Sequence, residues 1–83
     1  MRCRSIEPEK WFYISFADPR HHLFLGGAYV HARGALGALQ RTFDLGINPG
    51  GEAMVMTLHS QPPAACIDHL LSERELAALF DRL

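Results

Sequence analysis

Apolar and polar residues alternate over residues 11–17, which is the two-residue period of a β-strand. The alternation separates a set that we expect in the core from a set on the other face: Phe12, Ile14 and Phe16 against Trp11, Tyr13 and Ser15. Residues 18–22 contain Pro19 and have the length of a hairpin turn, and strand chemistry resumes over residues 23–31. We therefore predict two antiparallel strands, with Gly26 and Gly27 marking a bulge, a bend or a place where something approaches the backbone closely.

The periodicity then changes to that of a helix over residues 35–45, which Gly46 ends in a left-handed cap. This helix carries one apolar stripe, consisting of Leu36, Leu39 and Phe43. Residues 52–59 return to the strand period and look partly buried on both faces, with Met54 and Met56 as adaptable core filling. Residues 64–71 fit either a short helical turn or an extended segment, and they are left open between the two.

Ser72 and Glu75 form a capping box, so a last helix begins there. Its apolar side carries Leu76, Leu79, Phe80 and Leu83. The order ββαβα predicts a small α+β domain over residues 11–83, after a polar lead-in of residues 1–10. A crossover helix makes the second and third strands parallel, with the first strand between them. We predict a three-stranded mixed sheet with both helices on one face, leaving an aromatic surface of Trp11, Tyr13 and Tyr29 on the other.

Composition narrows the classes of function. The chain has 83 residues and a net charge of -1, so it offers no general attraction to nucleic acid or to anionic lipid. Two cysteines and the lack of a long apolar run favour a reducing cytoplasm. A chain this short hides only roughly 60–65% of its unfolded surface, which makes homo-oligomerisation an expected source of stability.

Glycine and proline are concentrated in the loop at residues 45–52, between the predicted helix and the third strand. Glycine accepts positive φ and lets a ligand approach the backbone closely. Such a loop can hold an anion on its amides, although anion-binding glycines usually precede a helix rather than follow one. The candidate ligand-binding residues are Asn48, Gly50, Gly51 and Glu52, with Arg33 and Arg41 as counter-charges. The alternative is a purely structural turn.

The five histidines lack the spacing of metal ligands, so we predict no metal and no cofactor. The candidate acid–base set combines His31 and His59 with Asp18 and Glu52, but no nucleophile with an adjacent base accompanies it. The aromatic set of Trp11, Tyr13 and Tyr29 is typical of core or subunit interface, or of stacking on a planar ring.

Three segments carry a resemblance, at residues 11–18, 24–30 and 45–52, with the sequences WFYISFAD, FLGGAYV and LGINPGGE. With these segments the chain resembles a group of small hypothetical proteins from actinobacteria and bacteriophages, over residues 11–59. No activity is established for that group. The resemblance implies a setting in which small phage proteins act as binders against host defence, in the host cytoplasm.

The leading hypothesis is a non-catalytic, self-associating protein that holds a compact anionic ligand of the nucleotide-derived kind near residues 48–52. The first alternative is an adaptor or inhibitor that grips a host protein through a sheet edge or the face of Trp11 and Tyr13. The second alternative is a small hydrolase that uses histidine and carboxylate.

Overall fold

The computed structural model describes residues 8–81, with side chains described as far as residue 79. Four strands and two helices follow one another, with a 3-10 turn at Ala64–Cys66. Their bounds are β1 Lys10–Asp18, β2 Leu23–Ala32, α1 Ala35–Asp44, β3 Glu52–Thr57, β4 Leu70–Leu71 and α2 Glu73–Asp81. The chain is a small α+β domain. The predicted lead-in lies mostly outside the described residues, as do Leu83 and the side chain of Phe80.

The sheet has the order β3-β1-β2-β4, and every neighbouring pair of strands is antiparallel. The prediction of a three-stranded mixed sheet is therefore wrong. β2 and β3 do run parallel to each other, but β1 lies between them and opposes both. The fourth strand comes from the segment left open in the sequence, where Leu70 and Leu71 pair with Ala28 and Gly27.

The two helices cover opposite faces of the sheet, which corrects the prediction that they share one. On the α1 face, Ala38 packs in a cluster with the inward residues of β1 and β2: Phe12, Ile14, Phe16, Ala28, Val30 and Ala32. On the α2 face, Leu76 packs with Cys66 and Leu71, against Tyr13 and Tyr29. The chain changes face at β4, because Leu71 points to the α2 face and α2 begins two residues later.

Local signals in the sequence fix several element ends. Gly46 has a φ of 71°, and its amide and that of Ile47 donate to the carbonyls of Phe43 and Thr42, a Schellman ending for α1. The Ser72 amide donates to the Glu75 carboxylate at 2.8 Å, and the Glu75 amide donates to the Ser72 hydroxyl at 3.1 Å. The predicted left-handed cap and capping box are both confirmed.

The predicted irregularity in β2 is confirmed as well. The register between β1 and β2 shifts between Phe16 and Ala17, where Gly26 adopts a φ of 139°. At the neighbouring position, a Cβ on Gly27 would meet the ring of Tyr13, so glycine there lets an aromatic side chain lie over the backbone. In the described part of the chain, no helix is long and apolar enough to span a bilayer.

Candidate interaction surface at the β3 edge

β3 forms one edge of the sheet and, within residues 8–81, pairs only with β1. The opposite edge is different. There β4 is two residues long, and the amide of Asp68 also donates to the carbonyl of Tyr29 in β2 at 2.9 Å. Edge strands that avoid further pairing are short, or carry lysine, proline or a bulge. β3 spans six residues, EAMVMT, and has none of the protective residue types except one charge, on Glu52.

The outer hydrogen-bonding groups of β3 can be assigned from its pairing with β1. The Leu58 amide donates to the Trp11 carbonyl at 2.8 Å, one residue beyond the paired Phe12 and Thr57. Inward and outward groups alternate along an antiparallel strand. The N–H and C=O groups that point away from the sheet are therefore those of Ala53, Val55 and Thr57.

Two methionines make the α2 face of β3 apolar and exposed. Met54 is 68% exposed and Met56 is 55% exposed, so the prediction that they fill the core is wrong. The reason is their position, because α2 packs over β2 and β4 and leaves the β3 side of this face uncovered. Met56 lies opposite Tyr13 and Met54 lies opposite Ser15 on β1. The result is an adaptable apolar surface beside an unpaired strand.

Helix α1 adds apolar side chains beside the same edge on the other face. Leu36 is 84% exposed and Phe43 is 60% exposed, although an apolar stripe normally faces the core. Arg41 marks the flank of α1 that faces β4, since it reaches Asp68 at 3.3 Å. At about 100° per residue, Leu36 and Phe43 lie roughly 140° and 160° around the helix from Arg41 when both angles are measured in the same direction. They therefore occupy the flank directed to the β3 side.

The predicted aromatic surface is only partly open. The rings of Tyr13 and Tyr29 are tilted, with centroids 5.1 Å apart, and both pack against the cluster under α2. Desolvation by burial raises the pKa of both hydroxyls, with a smaller contribution from each residue's neighbour, Tyr29 for Tyr13 and the Cys66 thiol for Tyr29. Trp11 stacks on His31 at 4.4 Å between centroids. An interface role for these three aromatic residues stays a prediction.

The glycine loop is built around the side chain of Asn48. Its Oδ1 accepts from the Gly50 amide at 2.8 Å, and its Nδ2 donates to the hydroxyl of Thr42 at 3.0 Å. That hydroxyl is buried and donates in turn to the Leu39 carbonyl at 2.6 Å. The loop is thus anchored to α1, and one of the amides proposed for an anion is already engaged by the chain itself.

The structure does not gather the other candidate ligand residues around this loop. Arg41 is paired with Asp68, and Arg33 precedes α1, about 15 Å of helix away from the loop that follows it. Glu52 lines a shallow cleft of about 380 Å³ that also contacts Ser15 and Met54. Anion binding near residues 48–52 stays a prediction.

The candidate acid–base set is divided between the two ends of β1. Both histidines lie at the Trp11 end of β1. His31 pairs with Trp11, and His59 follows Leu58, whose amide donates to the Trp11 carbonyl. Both carboxylates lie at the other end of β1, about 20 Å away, because Asp18 ends that strand and Glu52 pairs with the neighbouring Ala17. His31 contacts Glu9 at 2.9 Å, and Asp18 contacts His21 at 2.7 Å. The four side chains have no common site, and the described residues contain no group of three metal-ligating side chains.

One signal in the sequence pointed to the β3 edge. Once β1 is placed at the centre, the third strand must lie at an edge, and apolar residues on both faces of an edge strand predict an interface.

No protein-family model, curated protein or solved structure matches the chain. The resemblance to small actinobacterial and phage proteins stays a prediction.

Proposed function

We propose that the protein is a small non-catalytic interaction module that binds a protein partner by strand addition to β3. In this mode the outward amides and carbonyls of Ala53, Val55 and Thr57 bond an extended segment, and flanking side chains give specificity. The observation that carries the proposal is an unprotected edge strand whose α2 face carries two exposed methionines, Met54 and Met56. A role in phage counter-defence, which the resemblance implies, would suit such a module.

The proposal is tested by site-specific photo-cross-linking in cells that produce the protein. A benzophenone side chain replaces Met54 in one variant and Ala77, an exposed residue of α2, in the matched control. We expect protein adducts from position 54 that are absent from position 77. A third variant combines the position-54 probe with Val55→Pro, which removes an outward donor from the edge and should abolish the adducts.

Adducts that are as abundant from position 77 as from position 54 would contradict strand addition at β3, and so would a complete lack of adducts from position 54. Circular dichroism of the Val55→Pro variant shows whether the loss of adducts reflects a blocked edge rather than an unfolded chain. If that variant is unfolded, Thr57→Lys provides a second edge-blocking change at an exposed position.

A further inference from the structure

The outward groups of β3 are complementary to a second copy of themselves. Val55 stands at their centre, with Ala53 on one side and Thr57 on the other. If two β3 strands pair antiparallel about a two-fold axis at Val55, the two Val55 residues exchange both of their hydrogen bonds. Ala53 of each copy then exchanges bonds with Thr57 of the other. Such an isologous contact closes on itself and leaves no unpaired β3 edge.

Side chains on the α2 face fit the same register. With Val55 on the axis, Met54 of one copy lies directly opposite Met56 of the other, in a closely spaced pair without hydrogen bonds. Both methionines are more than half exposed in the single chain, and each would cover its counterpart. Unbranched thioether side chains adapt to such a contact without a preformed pocket.

The α1 face contributes a second layer. An axis perpendicular to the sheet keeps the two α1 helices on the same side, each with the flank of Leu36 and Phe43 turned to the shared β3 edge. These are the two exposed large apolar residues of the helix. Their burial would give the pair of sheets a helical cover on one side and a methionine cover on the other.

Charge favours the antiparallel arrangement. Glu52 is the one charged residue of β3, and it stands at the first position of the strand. Antiparallel pairing about Val55 separates the two Glu52 side chains by about 20 Å, which is beyond the Debye length at physiological salt. Each Glu52 then lies opposite Leu58 and beside His59 of the second copy. Parallel pairing in register would instead place the two carboxylates side by side.

We infer that a second copy of this chain occupies the β3 edge, antiparallel about a two-fold axis at Val55, so that two four-stranded sheets become one. This inference rests on the proposed function, since it names the partner of the same edge. The four exposed side chains provide roughly 400–500 Å² of surface per copy, at about 150–200 Å² for a fully exposed large apolar residue. That is below the roughly 800 Å² per partner of a standard interface, so we expect micromolar dissociation.

Sedimentation velocity over about 1 to 300 μM tests the association. We expect a monomer–dimer equilibrium, with a dissociation constant raised at least tenfold by Met56→Lys and unchanged by Ala77→Lys, which adds the same charge on α2. A monomer throughout this range would overturn the inference. A dimer that is insensitive to Met56→Lys would also overturn it, because association would then use another surface.

Disulfide trapping tests the register, in a Cys3→Ser background where the remaining cysteine, Cys66, is buried. Positions 54 and 56 of opposite copies should have Cα atoms about 4.5 Å apart, within disulfide range. Two copies of position 54 lie on a diagonal of roughly 7–8 Å. A mixture of Met54→Cys and Met56→Cys should therefore cross-link several-fold more than either variant alone.

Efficient cross-linking of Met54→Cys alone or of Met56→Cys alone would place the axis elsewhere and overturn the register. The failure of this inference differs from the failure of the proposed function. A purely monomeric chain that still gives photo-adducts with another protein from position 54 retains strand addition and excludes the second copy. A monomer without any adducts excludes both.

Discussion

Gly50 and Gly51 are adjacent, both have positive φ, and they should respond very differently to replacement by alanine. Their φ angles are 89° and 76°, so both variants force an L side chain into the left-handed region. The surroundings differ. A Cβ on Gly50 would have no atom within 4 Å, whereas a Cβ on Gly51 would clash with the Ala17 carbonyl oxygen and lie 2.8 Å from Leu25 Cδ1.

The magnitudes follow from these two contributions. Left-handed backbone costs an L residue about 1 kcal/mol, and this applies to both variants. Overlap with the backbone of β1 cannot be relieved by a side-chain rotation, and forced shifts of packed backbone cost about 2 kcal/mol more. We expect Gly50→Ala to lose about 1 kcal/mol of unfolding free energy and Gly51→Ala about 3 kcal/mol. In a domain of this size, these losses lower the Tm by about 5 °C for Gly50→Ala and by roughly 15 °C for Gly51→Ala.

Thermal and urea denaturation followed by circular dichroism measures both values. The two variants are compared at one protein concentration, because association makes the Tm depend on concentration. The change in unfolded-chain entropy is the same for both substitutions, so it cancels in their difference. A Gly51→Ala variant within about 0.5 kcal/mol of Gly50→Ala would refute the close approach of residue 51 to β1.

Four further predictions concern local structure. Asn48→Ala should lose about 2 kcal/mol of unfolding free energy, and a double-mutant cycle with Thr42→Val should show about 1 kcal/mol of coupling; simple additivity would contradict their hydrogen bond. Ser72→Ala should destabilise the chain by about 1 kcal/mol. Hydrogen bonds from Ser72, the backbone amide first, lower the pKa of Glu75 below its ordinary value of 4.5. This stabilisation is present above the ordinary pKa and is lost as pH falls through the lowered one, so Glu75→Gln should flatten the Tm profile on the acid side of the ordinary pKa. Gly37→Ala should stabilise α1 by about 0.5–1 kcal/mol, since the added Cβ would meet its nearest neighbour at 3.7 Å; an unchanged Tm would contradict this.

Local signals predicted the elements well, because their causes lie within a few residues. The alternation in β1 places Phe12, Ile14 and Phe16 in the core. The capping box of α2 and the left-handed glycine after α1 both depend on contacts within one turn of helix.

Non-local pairing explains the errors in the predicted sheet. β4 is two residues long, too short for a periodic pattern, and it exists because Leu70 and Leu71 reach the outer edge of β2. The face that α2 covers is decided at that same edge, where Leu71 and Cys66 pack against Tyr29. No pattern within α2 itself carries this information.

The orientation of α1 has a different cause. Leu36, Leu39 and Phe43 were expected to form the buried stripe, yet the buried residues of the helix are Ala38 and Thr42, and of the predicted stripe only Leu39 packs against the core. Small side chains on β2, at Ala28 and Ala32, leave room for close approach, and alanine on the helix fits that surface better than leucine or phenylalanine. Hydrophobic periodicity finds an apolar stripe but cannot tell which of two stripes is buried.

Four of the exposed large apolar residues lie around one edge of the sheet. Leu36, Phe43, Met54 and Met56 have the apolar character of core residues, but in the single chain all four are exposed, and all four flank the β3 edge. Sequences that fold uniquely are consistent across levels, and local violations concentrate at functional sites. A strand added to β3 would bury Met54 and Met56, and a second copy would also cover Leu36 and Phe43. The sequence pattern and the fold therefore agree if the structural unit is the associated protein rather than the isolated chain.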